Sequence, residues 1–339
     1  MIILGIDTSC DETAVAVVAN GKVILSNVVA SQVEIHKRYG GIVPELASRS
    51  HIEVILPVIE KSIKDAKIKI NDISAIAVTK GPGLVGSLLV GVSIAKAISY
   101  STGAPLVAVN HLEGHITSIF LEETDIKFPF VSLVVSGGHT ALYYVKDFLK
   151  YEELGRTRDD AAGEAYDKVA KVLNLGYPGG PIIDSISKEG DPKAVKFPRP
   201  YLPKSFDFSF SGLKTSVVNY MTDVERLGHF PKRKGKEVKV KDIAASFQQA
   251  VIEVLIFKVL KGAEKKGVRR IVLSGGVAAN SSLRNQILDK AAEKGLKVYI
   301  PSPDLCTDNA AMIAAIGYHY HRRGIHASLD LNPEAYLPL

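Results

Sequence analysis

Residues 2 to 6 (IILGI) and 13 to 19 (TAVAVVA) are apolar and rich in β-branched side chains, and the polar stretch Asp7-Thr8-Ser9-Cys10-Asp11-Glu12 lies between them. That pattern predicts two strands joined by a hairpin turn. It returns at Phe130 to Val135, Ser136-Gly137-Gly138-His139-Thr140 and Ala141 to Val145, 128 residues later. A third version, Ile271 to Leu273 followed by Ser274-Gly275-Gly276-Val277-Ala278-Ala279-Asn280, runs into a helix instead. A strand–turn–strand unit repeated at this distance, with helical patterns between the copies, restricts the chain to an internally duplicated α/β architecture.

The intervening segments fit that scheme. Residues 22 to 31 read as a third strand, and a helix begins near Pro44 with Leu46, Ile52, Ile55, Leu56 and Ile59 as its core stripe. Ala75 to Thr79 is a short buried strand, followed by a small-residue helix to about Thr102 and a strand from Leu106 to Val109. Residues 242 to 266 form a long helix, Val298 to Ile300 a last short strand, and Cys306-Thr307-Asp308-Asn309 the head of a final helix. Domain boundaries at 1–128 and 129–339 follow, with the last helix, about 306–324, packing back on the first half.

A chain of 339 residues that is 46% hydrophobic has ample material for two cores. The formal charge is +6, compatible with a polyanionic partner. Residues 226 to 241 hold seven Lys or Arg and read as an exposed loop, with contact to a phosphate backbone as the alternative. Cys10 and Cys306 are the only cysteines, so a disulfide framework or zinc knuckle is excluded and a reduced compartment is expected. The chain opens directly as a strand, and no apolar run approaches the roughly 20 residues of a membrane span. A cytoplasmic protein without a membrane segment is expected.

Two histidines, His111 and His115, stand four residues apart at the start of a helix, so their rings project from one face about one turn apart and can reach a single metal ion. A polar helix face is the alternative. The zincin order is absent, because Leu112 follows His111 and Glu113 points away from the shared face. Gly81-Pro82-Gly83-Leu84-Val85-Gly86 matches the dinucleotide fingerprint after a strand, but the next strand ends in Asn110 where an acid should hold the ribose, and Pro82 removes a donor. These glycines are better read as close packing of the helix. No nucleophile elbow or Walker A sequence occurs.

In the first turn, Asp7 and Asp11 can hold a cation or water and Thr8 and Ser9 can donate to phosphate, or the turn is simply solvated. The two later Ser-Gly-Gly turns offer positive φ and consecutive N–H groups, the means by which a backbone cradles phosphate without a lysine. Asp159 and Asp160 read as capping residues of the helix that follows them. Asp167 and Asp184 either cap helices or accept from a ligand's hydroxyl or amine groups, and Asp308 is either a cap or a carboxylate aimed at a site.

Taken together, DTSCDET from Asp7, GGIVPELASRSH from Gly40, KGPGLVGSLLVG from Lys80, NHLEGH from Asn110, LVVSGGHT from Leu133, GEAYDKVAK from Gly163, GYPGGPIID from Gly176, FSFSGLKT from Phe208, SGGVAANSSLR from Ser274 and CTDNAAMIA from Cys306 cover nearly the whole chain. Jointly they resemble the tRNA N6-adenosine threonylcarbamoyltransferase family, of bacterial TsaD type, formerly described as O-sialoglycoprotein endopeptidases. The resemblance implies a duplicated, two-lobed actin-like or sugar-kinase-like ATPase fold. It implies one divalent metal ion, Fe²⁺ or Zn²⁺, on His111, His115 and Asp308, and a substrate site lined by Val134, Val135, Ser136, Gly137, Gly138, Asp167, Gly180, Asp184 and Asn280. Archaeal and eukaryotic relatives tend to carry a tyrosine and an asparagine where this chain has Val134 and His139, so the resemblance is to the bacterial or mitochondrial type.

The implied reaction moves the threonylcarbamoyl group of threonylcarbamoyl-AMP to N6 of adenosine 37 in tRNAs that read codons beginning with adenine. Asp11 or Glu12 is the candidate to accept the amine proton. Implied partners are tRNA, a TsaB-like paralogue, a TsaE-like ATPase and a threonylcarbamoyl-AMP synthase that supplies the donor. A phosphotransferase or ATPase of the same fold, and a non-catalytic nucleotide-binding scaffold, are the alternative readings.

Overall fold

The computed structural model describes residues 1–122, 125–233 and 235–339. In chain order the elements are β1 (Ile2–Asp7), β2 (Glu12–Ala19), β3 (Val23–Ser31), α1 (Val33–Lys37), α2 (Pro44–Ala66), β4 (Ala75–Gly81), α3 (Val85–Thr102), β5 (Leu106–Asn110) and α4 (His111–Thr117). They continue with β6 (Phe130–Val135), β7 (Thr140–Asp147), β8 (Lys150–Arg156), α5 (Ala162–Val172), α6 (Gly179–Ser187), α7 (Ser211–Leu227), β9 (Lys232–Arg233) and β10 (Lys236–Glu237). The last are α8 (Val240–Lys266), β11 (Arg270–Ser274), α9 (Ser281–Ala292), β12 (Lys297–Tyr299), α10 (Pro303–Cys306) and α11 (Ala310–Arg322).

Two five-stranded sheets carry the duplication. The first has the order β3-β2-β1-β4-β5 and the second β12-β11-β6-β7-β8. In the first, β1 pairs antiparallel with β2 and parallel with β4, and β4 pairs parallel with β5. In the second, β6 pairs antiparallel with β7 and parallel with β11, and β11 parallel with β12. Matching β1 with β6, β4 with β11 and β5 with β12 superposes the two orders. In each sheet the parallel strands therefore deliver their carboxyl ends to one edge, where ligands bind in open α/β sheets. Asp7, Gly81 and Asn110 close three such strands in the first sheet, and Val135 and Ser274 two in the second.

The chain divides into two compact units: Met1–Phe128 with Asp147–Tyr151 and Pro301–Leu339, and Pro129–Lys146 with Glu152–Ile300. The division differs from a single boundary at 128/129, because the stretch from Pro301 groups with the first unit. The reason is the packing of α11. Ile3, Ala14 and Ala16 on one face of the first sheet meet Ala310, Ala311, Ile313 and Ala314, while Leu4, Ile6, Val15 and Val17 on the other face meet Ile55 and Ile59 of α2 and Val92 of α3. The strand alternation thus splits into two cores, each large apolar side chain contributing about 1.5–3 kcal/mol by leaving water. Alanines make α11 thin enough to lie directly on the strands. A Cβ on Gly5 would stand 2.3 Å from the Ala310 carbonyl oxygen.

Several expectations are corrected. In α2 only Ile55 and Ile59 of the proposed core stripe are buried; Leu46 is intermediate, and Ile52 and Leu56 are more than half exposed, since the sheet covers a narrower arc of the helix than the apolar residues span. The 226–241 stretch is not only loop, for β9 and β10 pair as a hairpin with Arg233 opposite Lys236, while Lys234 lies outside the described residues. Among the described residues, α3 and α8 are long and apolar enough to cross a membrane by length and composition. The scattered Ser, Gly and Lys residues in both hide this from a count of uninterrupted apolar runs. In α8, 83% of the apolar window is buried inside the protein, as in a core helix.

Gly5→Val is expected to force α11 away from β1 and to lower unfolding stability by about 1–3 kcal/mol, the usual cost of overpacking. Gly212→Ala in α7, where an added Cβ meets nothing within 4 Å, should stay within about 0.5 kcal/mol of wild type. Urea denaturation midpoints compare the two.

Candidate functional site

The end of β5 and the start of α4 place the histidine pair. Asn110 caps α4, its Oδ1 accepting the Leu112 N–H at 2.8 Å while its amide donates to the Leu337 carbonyl at 3.0 Å. His111 and His115 are both buried, with ring centroids 4.7 Å apart and nearly perpendicular planes. Asp308 meets them both: its Oδ1 lies 3.1 Å from His115 Nε2 and 3.5 Å from His111 Nε2. The three potential ligand atoms fall within 4.8 Å of one another. Asp308 is free for this because the cap of α11 belongs to the next residue, Asn309, whose Oδ1 accepts the Met312 N–H at 3.0 Å.

A second carboxylate stands behind the pair. Asp7 Oδ2 is 3.2 Å from His111 Nδ1, is otherwise without a hydrogen-bond partner and is buried; Ser9 Oγ is also 3.2 Å from that nitrogen. The turn after β1 is thus not a solvated one, since Asp7, Thr8, Ser9 and Asp11 are all buried. A carboxylate on one imidazole nitrogen fixes the tautomer that presents the other nitrogen's lone pair to a metal. Burial by itself would pull the His111 ring toward neutrality, yet the charges of Asp7 and Asp308 outweigh it and hold its pKa well above the imidazole value. His115 moves the other way, because burial lowers it more than its hydrogen bond to Asp308 raises it. Burial acts to raise Asp308, but the adjacent His111 charge and the hydrogen bonds of both rings hold it well below the carboxylate range. Two imidazoles, one carboxylate and an otherwise unpartnered carboxylate oxygen behind them suit a divalent metal ion.

The two acids of the first turn share this neighbourhood. Burial, together with the charges of Asp11 and Asp308, pushes the Glu12 carboxyl up to about 10, so it carries a proton at neutral pH. Cys10 between them is not a nucleophile: burial, then the surrounding acids, pushes its thiol well above the ordinary value. The Thr8 hydroxyl donates to the Ser87 carbonyl at 2.8 Å, which commits the proton expected to serve a phosphate. Gly83 in the fingerprint-like stretch and Gly91 further along α3 are packing glycines: a Cβ would stand 2.4 Å from the Ser9 carbonyl oxygen at the first and from Thr8 Oγ1 at the second. They bring α3 against the acidic turn, as the packing reading expects.

The second unit assembles the remaining candidates. Val134 and Val135 are buried in β6 and lead into the Ser136–His139 turn, where Ser136 N–H donates to the His139 carbonyl at 2.8 Å and Ser136 Oγ accepts the His139 N–H at 3.1 Å. Gly137 and Gly138 are exposed, and no described residue accepts from either amide. The expected positive φ is absent at both and occurs instead at Gly275, where φ is 91°. Asp167 Oδ1 accepts the Gly179 N–H at 2.7 Å, fixing the start of α6 beside Gly180. Asp184 holds the head of α9 through the N–H and hydroxyl of Ser281, both at 3.1 Å. Asn280 caps α9 through Leu283 N–H and donates to Gln248 Oε1 at 2.7 Å. A cavity of about 440 Å³ opens beside Asp184, Gln248, Ser281 and Gln286. Asp159 caps α7 rather than its own helix, accepting from Phe210 and Ser211 N–H and from the hydroxyls of Ser209 and Ser211.

Three supporting residues carry no signal in sequence spacing. Glu113 is buried and accepts from the Tyr320 hydroxyl at 2.7 Å, and burial pushes it up to about 7. Gln248 is reached only through the fold. His51 in α2 grips the acidic turn: Nε2 is 2.9 Å from the Cys10 carbonyl, which can only accept, and Nδ1 is 2.7 Å from Thr13 Oγ1. Nε2 therefore carries a proton, and burial lowers the pKa of the ring, favouring its neutral form. With the folded value below the unfolded one, this contribution to stability is present above the unfolded pKa of about 6.5 and is lost as pH falls through the lowered value. Wild type is expected to lose more stability than His51→Gln between pH 7.5 and 5 in urea denaturation; parallel curves would remove His51 as the cause.

A profile for tRNA N6-adenosine threonylcarbamoyltransferases (TsaD) matches residues 23–315. A protein of that description from Thermodesulfovibrio yellowstonii is 57% identical over 339 residues, all of both chains, and one from Clostridioides difficile is 53% identical over 333 residues, 98% of this chain and 96% of its own. Among solved structures, that of T. kodakarensis HypF superposes with a TM-score of 0.64 at 16% identity, covering 97% of this chain and 49% of that one, a likeness of the actin-like fold alone. With matches of this length and identity, the chain belongs to the tRNA N6-adenosine threonylcarbamoyltransferase family.

Proposed function

We infer that the chain transfers a threonylcarbamoyl group from threonylcarbamoyl-AMP to N6 of adenosine 37 in tRNA, forming t6A. The observation that carries the reading is the convergence of His111, His115 and Asp308 beside a turn bearing Asp11 and Glu12, in a chain of this family. In the reaction the N6–carbon bond forms, the bond from the carbamoyl carbon to the phosphate oxygen breaks, AMP leaves as its anion and N6 gives up one proton.

Each group has a task in that balance. The free amides of Gly137 and Gly138 suit the adenylate phosphate, as paired backbone donors suit anions generally. Gly180, where an added Cβ meets nothing within 4 Å, leaves the head of α6 open to the donor, and Asp167, Asp184 and Asn280 keep the helix ends around it in place. An aromatic amine is a weak nucleophile, so alignment carries much of the rate. Asp11 accepts the N6 proton, and the protonated Glu12 carboxyl beside it donates to Asp11 and limits the negative charge gathered there. His111, His115 and Asp308 would hold the divalent ion, which when bound supplies Lewis-acid polarisation of the carbonyl.

The partner assignments have support on the surface of the first unit. Ile52 and Leu56 on α2 and Val85 and Leu89 on α3 are more than half exposed, on two helices that pack together through Ser48 and Gly86. An apolar face of this kind suits a TsaB-like paralogue. A TsaE-like ATPase and a threonylcarbamoyl-AMP synthase complete the expected set.

The test supplies preformed threonylcarbamoyl-AMP and unmodified tRNA, with nucleosides read by mass spectrometry. Asp11→Ala is expected to lower kcat by about 10²–10⁴, the usual worth of a positioned base. His111→Ala should lose bound metal, measured by elemental analysis, together with transfer. Full transfer by Asp11→Ala would remove it as the base, and full transfer by His111→Ala would remove the metal from the reaction.

A further inference from the structure

The chain has 42 Lys and Arg against 36 Asp and Glu, for a formal charge of +6. Seven of the basic residues and one acid, Glu237, lie between Arg226 and Lys241, so the other 35 of each sign cancel and the entire formal charge resides in this one stretch of 16 residues. A surface serving solubility alone would intersperse the signs.

The stretch is held at both ends. α7 closes at Gly228, with φ of 73°, and α8 opens where the Lys239 N–H donates to Asp242 Oδ2 at 2.8 Å. Val238 is buried, and its N–H donates to the Pro231 carbonyl at 3.0 Å, closing the base of the β9–β10 hairpin. Within this frame Lys232, Arg233 and Lys239 are exposed. The ion pairs of the stretch among the described residues are Arg226 with Asp223 and Lys241 with Glu189, which leaves those three cations without one. Arg233 stands opposite Lys236 in the hairpin register.

The hairpin's place in the second unit adds a direction. It sits at the amino end of α8, and Gln248, seven residues and about 10 Å further along that helix from Lys241, accepts from Asn280 of the candidate substrate site.

We propose that the basic hairpin of residues 226–241 docks the phosphate backbone of the tRNA outside the reacting nucleotide, supplying affinity and salt dependence and no chemistry. The proposal rests on the transfer reading for the identity of its polyanion. Its test compares wild type with the triple variant Lys232→Gln/Arg233→Gln/Lys239→Gln and the charge-retaining Lys232→Arg/Arg233→Lys/Lys239→Arg, using full-length unmodified tRNA. The slope of log affinity against log salt should flatten by about 2–3 in the triple Gln variant, at about 0.7–0.9 per phosphate. Between 50 and 200 mM salt, wild type then loses about 20- to 40-fold more affinity than that variant.

In initial-rate assays the Gln variant should show a raised KM for tRNA at low salt and an unchanged kcat at saturating tRNA, with the charge-retaining variant matching wild type. An unchanged slope and KM would overturn the proposal. So would a lowered kcat without a change in slope, or loss of binding to anionic phosphatidylserine vesicles with tRNA binding intact. Because the slope is read from binding, failure of wild type to transfer would count against the transfer reading and leave this comparison decisive.

Discussion

Charge held out of water at the carboxyl end of β1 governs how the first unit is built. Asp7 and His111 are each at most 3% exposed, and a buried ion left without its partner costs about 3–5 kcal/mol. Asp7 must therefore find a cation, and the parallel pairing of β1, β4 and β5 brings one by setting the end of β5 along the same sheet edge. α4, at seven residues, is too short to persist alone, so Asn110 at its head and the Glu113–Tyr320 bond along its side hold it. Asp308 completes the balance only because α11 is pressed onto Gly5 and capped by Asn309. The fold of the C-terminal helix and the chemistry of the histidines are one requirement.

Much of this was legible in the sequence, and particular residues show why. The duplicated hairpin is a matter of period-two apolar runs, which tertiary context seldom overrides, and the paired sheet orders follow from it. Ile52 and Leu56 misled because a helix stripe records apolarity without saying what covers it. β8, with Lys150, Glu152 and Glu153 among its seven residues, lacks the alternation that marks a half-buried strand. At Asp308 two neighbouring residues suit a helix cap, and only the backbone angles decide that Asn309 takes the role. His51 touches Cys10 and Thr13 across 41 and 38 residues, a separation over which spacing carries no information.

The second unit uses similar residue types differently. Asp167, Asp184 and Asn280 look in sequence like ligand-binding groups, yet each spends at least one polar atom on a helix terminus of its own unit. This is the ordinary use of such residues where helix ends meet, since their side chains satisfy first-turn amides that the helix leaves unpaired. Gly137 and Gly138 lie in the turn between β6 and β7, not at a helix end, and among the described residues nothing accepts from their amides. Their lack of a side chain matters through open access to the backbone, since their φ values need no glycine.

A polyanionic substrate poses a problem for a site rich in carboxylates. Asp7, Asp11, Glu12 and Asp308 gather at one strand end, and their combined field would repel phosphate at the distances where binding begins. Two features already reduce it: the proton on Glu12, held by burial, and the positive charge or divalent ion that the His111–His115–Asp308 group accommodates. Neither reaches beyond its own neighbourhood, since charge effects fade within about 8–10 Å at physiological salt. The rest of the chain is formally neutral, and the excess positive charge lies in the stretch of residues 226–241. The docking proposal answers this need locally, since exposed cations held on a hairpin act on whichever phosphates come within a Debye length of them.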